Sequence, residues 1–372
     1  MAGRFNSHNL CCAILAIAMI SGCSSYEQQN WPQFGGDAQN TSNSARGINL
    51  ADPVSSWRFE TDGPIRTGPV VYGGIVYAGS GDNGFYAINE KTGDLIWRYR
   101  LSRPVTSAAL VTDRAVYFGG GDNAMHAVNR ENGRNIWKFQ TSGTVSSDPK
   151  LSEGLLFFGS WNYTFYAVNA DTGEEIWNFR TGRAISAAPA IYENLVIFGS
   201  WDGTVYALNK QDGAMVWTYE TGDGVASSPA VSDGIVYVGS RDHHLYALDA
   251  GTGERKWRAG GGAWFDASPA ISQNLVIAAN YDHHIYAIDR NTGEVVWKFA
   301  GEGPILSSPS IAGNQIFFGS WRRVIHALNL ENGEEIWRQR IRGDIQSSPA
   351  IANGRIYIGS NDGILHAISN SD

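Results

Sequence analysis

Cysteine is nearly absent. The 372 residues hold three, Cys11, Cys12 and Cys23, all close to the N-terminus, so no disulfide framework staples the body of the chain. Charge is scarce as well: charged residues make up 17%, and 28 Lys and Arg stand against 36 Asp and Glu, a net −8. A chain of that sign has no general attraction for phosphate backbones, which removes nucleic acid from the expected partners. The apolar run over residues 10–20 is too short to cross a bilayer as a helix. There is no Ser-His-Asp spacing, no P-loop and no zinc motif, so enzymes of those classes gain no support. What is plentiful is glycine, at 44 residues, and aromatic side chains, at 13 Trp, 16 Tyr and 15 Phe. Turn formers and strand formers in such numbers point to an all-β protein. A hydrophobic fraction of 43% can fill a large core, which excludes wholesale disorder.

Residues 1-22 read as a targeting segment, with Arg4 before the apolar run. The run ends in Ile20-Ser21-Gly22-Cys23, which resembles the lipobox of bacterial lipoproteins: a branched apolar residue, two small ones, then the cysteine. The alternative is an ordinary secretory signal that happens to be followed by a cysteine. The lipobox resemblance implies that Cys23 is lipidated, that Cys11 and Cys12 leave with the leader, and that several acyl chains hold the protein on a membrane. Ser24 follows in place of Asp, so the resemblance implies the outer membrane, with the chain facing the periplasm. In an organism without an outer membrane the same anchor places it on the outer surface of the cell membrane.

Internal periodicity sets the fold class. Tryptophan recurs every 40 residues at Trp57, Trp97, Trp137, Trp177, Trp217, Trp257, Trp297 and Trp337, with no insertion or deletion in the series. Glycine keeps the same step from Gly93 to Gly333, and alanine from Ala87 to Ala367. Each unit reads as four short strands, the signature of a propeller blade. The Pro-type first strand and the Ala-marked third strand each occur eight times. Trp57, however, precedes the first complete unit, and the last unit ends without a Trp strand. This predicts an eight-bladed β-propeller of four-stranded antiparallel blades, in which residues 55–60 supply the outer strand of the last blade. The expected division is a lipoprotein signal over 1-22, a lipidated tether and N-terminal arm over 23-52, and the propeller over 53-369. Removing residues 24–45 is expected to be far milder than removing 23–62.

The segment 87–97, Ala-Ile-Asn-Glu-Lys-Thr-Gly-Asp-Leu-Ile-Trp, resembles the tryptophan-docking motif of pyrroloquinoline quinone (PQQ) dehydrogenase propellers, and seven copies occur. Alanine leaves space that a neighbouring indole can fill, so these tryptophans are expected in the core. Trp31-Pro32-Gln33-Phe34-Gly35-Gly36-Asp37 and Asn40-Thr41 also resemble the segment before the first blade of those enzymes, whereas Ser42-Asn43-Ser44 departs from it. The dehydrogenases carry vicinal cysteines beneath the quinone and long insertions that roof it. Here the one vicinal pair lies in the leader, and the invariant step leaves no room for a roof. The chain is also similar to the BamB family of β-barrel assembly lipoproteins in its lipobox, eight blades and short loops. That resemblance implies a non-catalytic, membrane-anchored scaffold for envelope proteins, with β-barrel assembly components as partners and no cofactor. Two alternatives stay open: a PQQ-binding or PQQ-dependent oxidoreductase using PQQ with calcium, and a carbohydrate or cell-wall binding module.

Candidate binding residues are those that break the repeat on the face formed by the second-to-third turns and the blade-to-blade loops. Arg241-Asp242-His243-His244 and Tyr281-Asp282-His283-His284 place four histidines on adjacent blades. The intervening loop carries Trp264, Phe265 and Asp266, read as exposed aromatics beside the histidines. Partner or ligand binding, a metal site, and simple duplication of one blade all remain open for the histidine pairs. Trp321-Arg322-Arg323 replaces an acidic turn in blade seven, with Arg340 and Arg342 nearby. Trp161, Trp201 and Trp321 end second strands just before this face, where they stack a planar ligand or sugar or merely fill the rim. The turn aspartates are expected to cap their own hairpins.

Overall fold

The computed structural model describes residues 29–44 and 47–371; the expected targeting segment over 1-22, with Cys11 and Cys12, and the proposed lipidation site Cys23 lie outside the described residues. The described chain contains strands and turns and no helix. Its strands form eight sheets, each a four-stranded antiparallel blade, with one short extra strand added to the seventh. Blade five is representative: Ala230–Ser232, Ile235–Gly239, His244–Asp249 and Arg255–Gly260 run outward from the centre. Val70–Tyr72, the innermost strand of blade one, touches both Leu110–Val111 of blade two and Ala350–Ala352 of blade eight, so the first and last blades meet and the ring is closed.

The 40-residue tryptophan joins each blade to the next. The indole N–H of Trp217 donates to the carbonyl of Ala250 at 2.9 Å, and Trp97, Trp137 and Trp257 make the equivalent bonds at 2.9, 2.9 and 2.8 Å. The seat of each indole is the turn glycine of the following blade, in place of the alanine expected from sequence, which instead pairs with the tryptophan inside its own blade. A Cβ on Gly213 would lie 2.7 Å from the Trp177 ring, and its φ of +71° already disfavours any other residue. Closure follows the same rule. Pro53–Glu60 pairs antiparallel with Ile364–Asn370, Trp57 opposite Ala367. Trp337 docks on blade eight, which has no third-to-fourth turn because Pro53–Glu60 supplies its outer strand, and donates instead to Leu50 at 2.7 Å.

Residues 29–44 do much more than tether. They circle the end of the channel opposite the second-to-third turns and close it. Val111, Ile191, Val231, Ile271 and Ile311 donate their backbone N–H groups to the carbonyls of Pro32, Ala38, Gln39, Thr41 and Ser42. Trp31 bridges Val71, and the N–H of Gln29 reaches Asn353 of blade eight at 2.8 Å. In blade three the fully buried Lys150 takes over, its ammonium donating to the carbonyls of Phe34 and Asp37 at 2.6 and 2.7 Å. The arm therefore bonds to every blade. These bonds run against the expectation that removing 24–45 is far milder than removing 23–62, because the inner-strand N–H groups would lose their partners.

Candidate binding face

At the other end of the channel, the first residue of each second-to-third turn occupies one repeating place: Gly81, Gly121, Trp161, Trp201, Arg241, Tyr281, Trp321 and Asn361. Its backbone N–H donates to the blade-to-blade loop, as from Trp201 to Ala184 at 2.9 Å, Arg241 to Gly224 at 3.0 Å and Tyr281 to Trp264 at 3.0 Å. Five consecutive blades thus point a large planar group over the channel rim. Sequence reading named all five residues but in separate groups; the shared place in the turn unites them.

The planar groups touch in series. Trp161 and Trp201 lie 6.0 Å apart between ring centres, and each indole N–H is held by a serine hydroxyl, Ser146 at 2.7 Å and Ser186 at 2.8 Å. The Arg241 guanidinium sits between two indoles, 4.1 Å from the Trp201 ring and 4.4 Å from that of Trp264. It is fixed there by a bidentate pair with Asp266 at 3.0 and 2.7 Å. Trp264 meets Tyr281 edge-on at 5.3 Å, and Tyr281 meets Trp321 at 6.5 Å. The result is a continuous arc across blades three to seven. Trp161, Trp264 and Trp321 remain 48%, 38% and 36% exposed even though the arc is pinned from beneath.

Other sequence candidates fall elsewhere. Phe265 is 0% exposed and so is not a surface aromatic; it fills the core place held by Val145, Val225 and Ile305 in other blades. Those three apolar residues, at multiples of 40 residues from Phe265, were the signal for its burial. His243 and His283 take the left-handed turn position, with φ of +71° and +75°. His244 and His284 donate from Nδ1 to the carbonyls of Asp242 and Asp282, both at 2.9 Å, and their ring contacts are with Tyr246 and Tyr286. The arc is therefore built without the histidines. Among the described residues no three His, Cys, Asp or Glu side chains gather as a metal would require. Asp242 accepts from the N–H of His244 at 3.0 Å and from the hydroxyl of Tyr246, the hairpin-capping role expected of it. In blade seven Arg323 lies 3.4 Å from Asp344, Arg340 is paired with Glu302 at 2.6 Å, and the exposed Arg322 lies over Gly303.

Two family models divide the propeller. Residues 44–149 match that of the outer membrane protein assembly factor BamB, and residues 152–372 match that of the β-propeller of the beta-alanine-activating enzyme. No curated protein matches the chain. Among solved structures, BamB from Moraxella catarrhalis superposes with a TM-score of 0.76 at 21% identity, covering 86% of this chain and 98% of that one. The quinohemoprotein alcohol dehydrogenase from Comamonas testosteroni gives 0.79 at 15% identity, over 92% of this chain and 81% of that one. The computationally designed Ika8 protein gives 0.75 at 16%, over 86% and 99%. Likeness at these identities establishes the fold alone. The residues of the arc do not fit PQQ, a planar molecule with three carboxylates. Its first two indoles meet at 43° where a quinone needs parallel walls, and the guanidinium of the arc is already engaged by Asp266.

Proposed function

This chain belongs to the family of the beta-alanine-activating enzyme β-propeller, and from that fold we propose that it works as a non-catalytic, membrane-anchored scaffold of the bacterial envelope. Its binding face is the aromatic arc, and its partners are envelope proteins of the kind that the name BamB denotes, components of outer-membrane β-barrel assembly. One observation carries the reading: six planar groups, from Trp161 to Trp321, form an unbroken series in which Trp161, Trp264 and Trp321 are exposed, held by Asp266, Ser146 and Ser186. Preorganised Trp, Tyr and Arg side chains are the residue types that dominate binding energy at protein interfaces, because little side-chain entropy remains to be lost. Loops of invariant length leave this face unroofed, as a docking surface requires and a water-excluding reaction centre does not.

The test is crosslinking in intact membranes followed by capture of the full chain. Wild type recovers β-barrel assembly components, and the triple variant Trp161→Ala, Trp264→Ala, Trp321→Ala loses them. Recovery of none by the wild type overturns the partner, and equal recovery by the variant overturns the arc. The anchor is tested separately. Cys23→Ala leaves the membrane fraction, and a variant that stays bound in high salt without accumulating as uncleaved precursor refutes lipidation.

A further inference from the structure

One quadrant of the channel mouth breaks the repeat in a second way. Where blades three to seven overhang the channel with planar groups, blades one and two carry Gly81 and Gly121. Beneath this gap opens a cavity of about 660 Å³, within the range of small-molecule sites. Phe34 of the arm lines it from below, Trp161 forms a wall, and Pro64, Pro104 and Val105 add apolar surface; the cation of the lining, Arg66, donates from Nε to the Asn361 side chain at 3.3 Å.

Into the same cavity comes Asp148. The corresponding place in other blades holds Gly68, Ala108, Ala188, Ser228, Ser268, Ser308 and Ser348. The serines there accept a backbone N–H from the preceding blade, as Ser228 does from Ala188 at 2.9 Å and Ser308 from Ser268 at 2.9 Å. Asp148 does this with one oxygen, for the N–H of Ala108 at 2.6 Å. A serine would suffice for that bond; the aspartate adds a second oxygen and a charge. Among the described residues no Lys, Arg or His nitrogen lies within 4.0 Å of the carboxylate. Lys150, two residues on, turns its ammonium away to the carbonyls of the arm. Burial raises the Asp148 carboxyl to about 6, with the Ala108 bond and Lys150 opposing, so it stays ionised at neutral pH.

We propose that this cavity binds an amine: a primary ammonium on Asp148, carried by an apolar or aromatic body seated between Trp161 and Phe34. The inference shares Trp161 with the arc but stands apart from the scaffold reading, since Asp148 and Phe34, on which it turns, lie outside the arc. A partly buried carboxylate with no cationic partner rewards an ammonium over an uncharged isostere of the same shape.

Phenethylamine and 2-phenylethanol, titrated calorimetrically at pH 7.5 into detergent-solubilised full-length protein, differ only in that group. The amine binds saturably and at least about ten-fold more tightly than the alcohol, the margin expected of a charged hydrogen bond. Asp148→Asn keeps an acceptor for the Ala108 N–H, so it holds the melting temperature while abolishing the preference. Trp161→Ala weakens both ligands together. Equal affinity for amine and alcohol in the wild type, no binding of either, or an Asp148→Asn variant that keeps the preference would each overturn the proposal.

Discussion

Lys150 gives the sharpest test of the arm. Its side chain is fully buried, and its ammonium holds two carbonyls of residues 29–44. Burial pushes its pKa down from 10.5 to about 7, against the opposing pull of the Asp37 and Asp148 carboxylates. Between pH 7 and 10.5 the unfolded chain therefore carries a proton at this site that the folded chain lacks. Stability contributed here must rise with pH across that window, by about 1.4 kcal/mol per unit. Below pH 7 the ammonium is protonated in both states, and its burial costs on the order of 4 kcal/mol. Lys150→Met removes the titrating group and strips two carbonyls of their donor, at about 1 kcal/mol each or somewhat more. The stability of wild type relative to Lys150→Met should thus climb in favour of wild type by roughly 2–3 kcal/mol between pH 7 and pH 9. Asp148, at about 6, titrates below this range and does not enter. Urea unfolding of both proteins at pH 6, 7, 8 and 9 measures the difference directly. A difference that is flat with pH, or that moves towards the variant, refutes a Lys150 that holds the arm while burial drives off its proton.

Deleting residues 24–45 should cost on the order of 5 kcal/mol, since the inner strands lose their bonds to the arm; a urea midpoint equal to wild type would contradict the channel-closing role. Trp217→Ala should destabilise by about 3–5 kcal/mol, and Trp217→Phe by about 1–2, the latter isolating the lost donor to Ala250. Thermal melts of Gly213→Ala and Gly154→Ala separate crowding from backbone strain. Both have positive φ, so each should lose about 1 kcal/mol or more to backbone strain, but a Cβ at Gly213 also meets the Trp177 indole whereas at Gly154 nothing lies within 4 Å, so Gly213→Ala should lose clearly more.

The blades were legible because a propeller repeats one packing problem eight times, and every solution leaves its residue at the same interval. Trp57 standing before the first unit was enough to place the closing strand, since the surplus at one end matched the deficit at the other. The arm was not legible. It binds through its own carbonyls and the N–H groups of inner strands, and backbone bonds impose no side-chain pattern. Lys150 alone left a trace, a lysine where the neighbouring blades have Leu110 and Ala190. The histidine pairs drew attention as unusual residues, yet His243 and His283 occupy a turn position taken in other blades by Asn83, Tyr163 and Arg323. Arg241 and Tyr281, in the same turns, face the channel and join the arc. Periodicity identifies the place in the blade; only the ring brings places from different blades into contact.

The closing strand also sets the order in which the molecule can become complete. Pro53–Glu60 is made early, and its partner Ile364–Asn370 is made last; Ser56 and Ser369, which share a hydrogen bond across the seam, are 313 residues apart. Seven blades can pair their strands locally as they emerge from the ribosome, but the eighth waits for Ile364–Asn370. Throughout that interval the early strand presents an unpaired edge. A second chain at the same stage offers a matching third strand, so crowded synthesis favours exchange of closing strands between neighbours. The fold meets that hazard with the brevity of its last step: once residue 370 is made, one eight-residue strand completes the ring.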